Sequence, residues 1–375
     1  MKIVFTGGGT GGHFNPLIAV AQEITALTNK RKLVPPTFFY LADQPYDENS
    51  LFENGIKFYH ISAGKRRRYA SWRNFTDLFR IAIGILQSLW RIYVLFPDVI
   101  FSKGGYASFP ILVAAKWYKI PVIIHESDSR PGRVNLWSGR FATRVAVSYS
   151  QTATFFPPDK TAVTGNPIRR ELKYPIKEGA REFLKLEPDA PVVYVTGGSL
   201  GAAAINDVIL DIIDQLVEKF QIIHQVGASH LLDTQQRASV ILEKSPYPYR
   251  YKVFDYLNEG ALRMVAGCAD LIVSRAGSVI FEIAEWGLPA ILVPIPEEIS
   301  HDQRSNAFTY AHTGAAIVIE QKNLSGSIML SEISRLLADQ PLRMEMVAQA
   351  KKFARPEAAR QIAEAILNLG LEHEE

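Results

Sequence analysis

The chain has a single cysteine, Cys268, in 375 residues, so no disulfide can form within it. A chain of this size without disulfides suits a reducing compartment, and cytoplasmic residence is the expectation. Charge of one sign is also scarce in excess, the formal net being only +3, and no nucleic-acid partner is expected. There is no low-complexity segment. The opening run Met1-Lys2-Ile3-Val4-Phe5-Thr6 is too short for a signal-peptide core and breaks into glycines at once, so it reads as a first strand. An Asp-x-Asp metal motif is lacking as well.

What is present describes an ordinary folded enzyme. Hydrophobic residues make up 47% and charged residues 21%, which disfavours disordered and collagen-like classes. The length exceeds what one core usually supports and implies two. Apolar runs such as KIVFT, TFFYLA, IKFYHI, DVIFS, PVIIHE and RVAVSYS alternate with helical patterns, and PVVYVT, QIIHQVG, LIVS and AILVPI continue the series. Such alternation predicts parallel sheets with helical crossovers. A weak internal repeat relates KIVFTGGGTGGHFNPLIAVAQEI to PVVYVTGGSLGAAAINDVILDII. Each is strand, glycine turn, helix, an arrangement whose free backbone N–H groups and positive helix end suit phosphate. Two Rossmann-like halves follow, with a hinge expected among Phe155-Phe156-Pro157-Pro158-Asp159 and Gly165-Asn166-Pro167.

Positive charge is local. Lys65-Arg66-Arg67-Arg68 is followed by Arg73, Arg80 and Arg91, beside an almost continuously apolar stretch at 78–96. On a helix, Arg73, Arg80, Gln87 and Arg91 share one narrow stripe, so the segment is an amphipathic helix with a wide apolar face, which suits an interface better than a bilayer core.

The first glycine turn fits the dinucleotide pattern poorly. It ends in His13, and Asp43 is the nearest acidic candidate to hold a ribose. A histidine there suits general-base chemistry, a helix cap or loop ordering equally.

Several ordered motifs together are more specific than any one alone. Gly8-Gly9-Thr10-Gly11-Gly12-His13, Ser102-Lys103-Gly104-Gly105-Tyr106-Ala107-Ser108 and His125-Glu126-Ser127-Asp128 strongly resemble the MurG family. So do Gly165-Asn166-Pro167-Ile168-Arg169, Gly197-Gly198-Ser199-Leu200-Gly201-Ala202, Ser274-Arg275-Ala276-Gly277, Glu282 and His301-Asp302-Gln303 with Asn306. The resemblance spans roughly residues 1–310. In two places the sequence departs from the family pattern: Ser127-Asp128 replaces the Gln-Asn of some members, and the stretch from Gly277 to Glu282 is one residue shorter.

The resemblance implies an α/β protein of GT-B type, with two Rossmann-like domains whose parallel sheets face each other across a cleft. Residues 1–165, completed by a C-terminal helix at 355–375, would bind the acceptor and the membrane; residues 166–354 would bind the UDP-sugar. The implied reaction is inverting transfer of N-acetylglucosamine from UDP-N-acetylglucosamine to the C4 hydroxyl of lipid I, the undecaprenyl-linked muramyl peptide. His13 and Glu126 are the implied catalytic residues, either of which suits the base. Thr10, Gly11, Gly12, Asp128, Arg169, Gly198, Ser199, Asn206, Tyr256, Leu257, Glu282 and Gln303 are implied on the donor side, with Arg275 shaping the pocket. Gly104, Gly105, Tyr106 and Ser108 are implied for the acceptor. Backbone N–H groups and Arg169 would meet the leaving diphosphate, so neither metal nor cofactor is expected. The lipid acceptor also gives the basic cluster a purpose: Lys65, Arg66, Arg67 and Arg68 would attract an anionic membrane surface, and Trp72, Phe75 and Phe79, with Trp117 as a further candidate, would insert. Rival readings are a transferase acting on diacylglycerol or another lipid, a UDP-sugar 2-epimerase, and a non-catalytic nucleotide-sugar-binding membrane protein.

Overall fold

A computed structural model describes residues 1–64, 73–198, 201–298 and 301–374. The chain divides into two compact units, Met1–Arg170 with Arg355–Glu375, and Glu171–Ala354.

The first unit is built on a seven-stranded parallel sheet: β1 (Lys2–Thr6), β2 (Thr37–Ala42), β3 (Ile56–His60), β4 (Val99–Ser102), β5 (Val122–Glu126), β6 (Arg144–Val147) and β7 (Thr161–Val163). Their spatial order is β3-β2-β1-β4-β5-β6-β7. The second holds a six-stranded parallel sheet of β8 (Val192–Thr196), β9 (Gln221–Gln225), β10 (Tyr251–Phe254), β11 (Leu271–Ser274), β12 (Ala290–Leu292) and β13 (Ala316–Val318), ordered β10-β9-β8-β11-β12-β13. Strand order therefore reverses direction between β1 and β4, and between β8 and β11. In open parallel sheets such switch points leave a crevice at the carboxyl ends of the strands, where ligands bind.

Central strands are apolar along their whole length because helices cover both faces. Phe5, Phe14, Leu17 and Phe101 belong to the core on one face of the first sheet, and Val4, Ile100, Ile111 and Ile124 to that on the other. The helix Ala358–Glu374 packs on the helix Gly11–Arg31 and adds Ile362, Ala363, Ile366 and Leu367 to the first of these cores. In the second unit Ile205, Ile209, Val195 and Val273 line one face and Tyr194, Ile272, Ile280 and Ile283 the other.

The expected hinge is only partly placed by its chain breakers. Pro158–Lys160 forms a short turn leading into β7, inside the first unit, and the boundary between units falls after Arg170. The prolines there stop a helix before an edge strand rather than joining domains.

The helix Arg73–Leu95 is inverted relative to an ordinary surface helix. Asp77, Gly84 and Ser88 are buried, whereas Phe79, Leu86 and Trp90 are 68%, 69% and 66% exposed; toward its carboxyl end the helix returns to the usual sense, with Ile92 and Leu95 in the core. Gly84 permits this docking: a Cβ there would stand 1.8 Å from the Ser62 carbonyl oxygen. Part of the polar stripe faces the protein, Gln87 accepting the Ser62 N–H at 2.8 Å and Arg91 lying over the Tyr59 ring. Leaving such side chains in water forgoes on the order of 1.5–3 kcal/mol of burial each.

Candidate active site

At the first switch point, β1 runs through Gly7, Gly8 and Gly9 to Thr10, whose extended backbone precedes the helix beginning at Gly11. Thr10 does not cap that helix through its hydroxyl. Its Oγ1 instead lies 2.9 Å from Nδ1 of His13, in the first helical turn. The other imidazole nitrogen, Nε2, is directed past the turn that follows β4, 3.6 Å from the position a Cβ on Gly105 would occupy. Gly104 and Gly105 have φ of +75° and +83°, and a Cβ on Gly104 would lie 2.5 Å from Asn135 Oδ1, so both geometry and space call for glycine. Ser108 is buried, and its hydroxyl donates to the Gly105 carbonyl at 2.9 Å; it braces the turn rather than presenting its hydroxyl to a ligand. Tyr106 is partly exposed, and burial together with the charges of Asp43 and Asp77 raises its phenol above the ordinary range.

The carboxyl end of β5 brings His125 and Glu126 to the same region. Glu126 is buried and accepts three donors: the Asp128 N–H at 3.0 Å on Oε1, and the Gly132 N–H and Asn135 Nδ2, both at 2.9 Å, on Oε2. Burial, with the Asp128 charge, nonetheless pushes its pKa up to about 7, against the pull of those donors. His13 moves the opposite way: enclosure and then the Lys103 charge lower it to about 4, so its ring is neutral at physiological pH although part of it reaches solvent.

Lys103, His125, Asn135, Gly165 and Asn166, which had no assigned role in the sequence reading, complete this site. Lys103 is 2% exposed, and its Nζ lies 2.6 Å from His125 Nδ1 and 3.1 Å from Asn166 Oδ1. His125 Nε2 is 2.9 Å from the Gly165 carbonyl. Asn135 links His125 and Glu126.

The second switch point is built differently. Beyond β8, Gly198 adopts φ of +84° and its N–H bonds Thr196 Oγ1 at 3.1 Å. The N–H expected to meet the diphosphate is therefore engaged within the turn. Ser199 lies outside the described residues. The helix begins only at Ala203, with Ala202 as its cap. Asn206 is turned inward, donating to the Val226 carbonyl and bonded through Oδ1 to His224 Nε2, both at 3.1 Å. Beneath the turn, Gln225 donates to the Gly198 carbonyl at 3.2 Å and accepts from the Tyr194 hydroxyl and the Leu257 N–H, each at 3.3 Å. The Tyr256 N–H bonds its neighbour Asp255. Gln225 is thus the keystone that sequence reading missed.

Glu282 occupies the first turn of the helix Val279–Trp286, half-buried, and its charge together with that of Tyr256 helps burial raise the Tyr194 phenol, which places the three near one another. Gln303 Oε1 accepts the N–H groups of Ala276 and Ile295, both at 3.3 Å, tying the ends of β11 and β12, with Nε2 beside Gly277. Arg275 donates to the Val293 and Pro294 carbonyls, so it supports the loop after β12. Arg169 is half-buried in the first unit, just before the boundary. A cavity of about 580 Å³ in the second unit, lined by Lys177, Arg181, Asp270, Leu288 and Lys351, lies at the amino ends of β11 and β12, away from the switch point.

Residues 3–147 match the glycosyltransferase family 28 N-terminal domain, and residues 192–362 the corresponding C-terminal domain. A relative from Treponema denticola, a UDP-N-acetylglucosamine--N-acetylmuramyl-(pentapeptide) pyrophosphoryl-undecaprenol N-acetylglucosamine transferase, is 36% identical over 355 residues, covering 90% of this chain and 87% of its own. This chain belongs to the MurG family. Among solved structures, Acinetobacter baumannii MurG superimposes with a TM-score of 0.72 at 26% identity, covering 98% of this chain and 99% of its own. A UDP-GlcNAc 2-epimerase from Neisseria meningitidis, bound to UDP-GlcNAc in its crystal structure, aligns with a TM-score of 0.66 at 15% identity, covering 98% of this chain and 100% of its own, a likeness of fold alone. As in that MurG structure, the chain carries the two parallel-sheet, Rossmann-like domains of the GT-B class expected from sequence.

Of the residues expected to face a membrane, Lys65, Arg66, Arg67, Arg68 and Trp72 lie outside the described residues, as does the Phe75 side chain. Phe79 is exposed on the inverted helix, and Trp117 is 75% exposed.

Proposed function

We propose that this chain transfers N-acetylglucosamine from UDP-N-acetylglucosamine to the C4 hydroxyl of the muramic acid in undecaprenyl-pyrophosphoryl N-acetylmuramyl pentapeptide, giving lipid II. The observation that carries the reading is the site at the first switch point, where a neutral imidazole abuts two side-chain-free turns, in a chain related over nine-tenths of its length to a transferase of that activity. The first unit takes the acceptor and the second the donor.

His13 acts as the base. With Nδ1–H donated to Thr10 Oγ1, Nε2 keeps its lone pair and takes the proton from the attacking hydroxyl. Glu126 organises the loop to Asn135 and retains one lone pair on Oε1, enough to orient the acceptor sugar. Gly104 and Gly105 let that sugar approach the backbone. The leaving diphosphate is met by fixed dipoles of the second glycine turn, with Ser199 and Arg169 assisting, Thr10, Gly11, Gly12 and Asp128 on its acceptor-side flank, and Glu282 and Gln303 holding the ribose and the transferred sugar. Asn206 and Leu257 contribute through the loops they brace, and no metal is needed.

The protein docks on the anionic cytoplasmic surface of the membrane through the exposed face of the helix Arg73–Leu95. Among the described residues, one helix segment, Thr76–Leu95, is long and apolar enough to cross a bilayer. It lies on the membrane rather than spanning it, because Asp77, Gly84 and Ser88 pack into the first unit.

The test is transfer of radiolabelled N-acetylglucosamine from its UDP donor to a short-prenyl lipid I analogue, with EDTA present and diacylglycerol as competitor. Labelled lipid II analogue is expected. Label in diacylglycerol alone would replace this acceptor, and activity abolished by EDTA would restore a metal.

A further inference from the structure

Lys103 is the buried cation for which the proposed reaction has no use. Its ammonium lies deep beneath the first glycine turn, where an unpaired charge is costly, so its surroundings must account for its presence. Those surroundings are specific. The Gly165 carbonyl can only accept, so His125 Nε2 at 2.9 Å carries the ring proton. Nδ1 is then a lone pair, and it accepts from Lys103 Nζ at 2.6 Å. A second donation reaches Asn166 Oδ1 at 3.1 Å. Backbone hydrogen bonding fixes where the lysine stands, its own N–H bonding the Thr6 carbonyl beside β1. The titratable groups facing the ammonium are His13 from the helix after β1, and His125, Glu126 and Asp128 from β5 and the loop beyond it.

We propose that Lys103 is a positioning residue of the acceptor-side site: one ammonium locks the His125 tautomer, ties the Gly104-Gly105 turn to the segment at Gly165-Asn166, and sets a positive charge behind the groups that take the proton. The inference rests on the reading of this site as the place of proton removal. Its electrostatic part follows from Coulomb reciprocity. A positive charge nearby opposes protonation of His13 and favours the ionised form of Glu126, so both proton-accepting forms are promoted by the same group. The Lys103 charge lowers His13, and the Glu126 and Asp128 charges favour the ammonium form of Lys103 against its burial.

The sign of the consequence does not depend on which group is the base. Removing the ammonium raises the pKa of His13 and of Glu126 alike. The acid limb of kcat/KM against pH therefore moves to higher pH, by on the order of one unit. Lys103→Met preserves the stem and deletes the charge. The pH profile of GlcNAc transfer is measured for this variant and for the unaltered chain. A displaced acid limb is expected. An acid limb that stays in place while kcat falls would leave Lys103 a merely structural residue and overturn the proposal.

A second measurement needs no activity and no variant. In the ¹⁵N-histidine NMR spectrum of the intact protein, His125 is expected as the neutral Nε2–H tautomer throughout pH 5–8. Titration of His125 in that range, or an Nδ1–H tautomer, would overturn the tether. Absence of transfer by the unaltered chain would instead refute the proposed function, and the spectrum would still decide the place of Lys103.

Discussion

The two switch points share a topology and differ in chemistry. After β1 the helix begins at Gly11, and its first turn faces a floor of ionisable groups, Lys103, His125 and Glu126. After β8 the helix begins later, at Ala203, and the floor is neutral: Gln225, Asn206, Tyr194 and His224, the last lowered to about 3 by burial. A duplicated scaffold thus serves two tasks. Removing a proton calls for a group whose charge can change, and steadying a diphosphate calls for dipoles whose charge cannot.

That contrast can be broken by experiment. The largest effect is expected from His13→Ala, which should lower kcat by roughly 10²–10⁴ with UDP affinity little changed. Comparable loss of UDP binding, read by calorimetry, would mean the first loop serves the donor instead. Glu282→Ala should do the reverse, weakening UDP by about tenfold or more through the loss of a charged acceptor for the ribose hydroxyls. An unchanged UDP affinity would reduce Glu282 to a partner of the helix dipole. The smallest effect concerns docking. Phe79→Ser with Trp90→Ser should reduce partition to anionic vesicles several-fold without altering turnover of a soluble short-prenyl acceptor. Equal partition would remove the inverted helix from the membrane reading.

How much was legible in sequence follows from burial. Every strand read correctly from an apolar run is central or near-central in its sheet, except β3. The three strands that escaped, β7, β10 and β13, are edges. The residues of β7 and β10 are all half-buried or exposed, so no continuous apolar run marks them. The helix Arg73–Leu95 was legible as amphipathic but not as inverted, since its sense depends on Gly84 meeting the Ser62 backbone, a long-range contact. The site was legible where a motif carries chemistry directly, as at His13, Gly104 and Gly105. It was illegible where a side chain acts through another. Gln225 and Asn135 look like ordinary polar residues until the loops they hold are seen together.

The helix Ala358–Glu374 completes a core begun by Lys2–Thr6, so the first unit is assembled from both ends of the chain while the second is one uninterrupted stretch. During synthesis at about 5–20 residues per second, the first unit must therefore wait, roughly ten to forty seconds, while 171–354 is made. Residues made earlier finish folding later. Until the helix Ala358–Glu374 leaves the ribosome, the apolar surface it covers on the helix Gly11–Arg31 stands open, and the half-made protein is a client for whatever shields such surfaces in the cell.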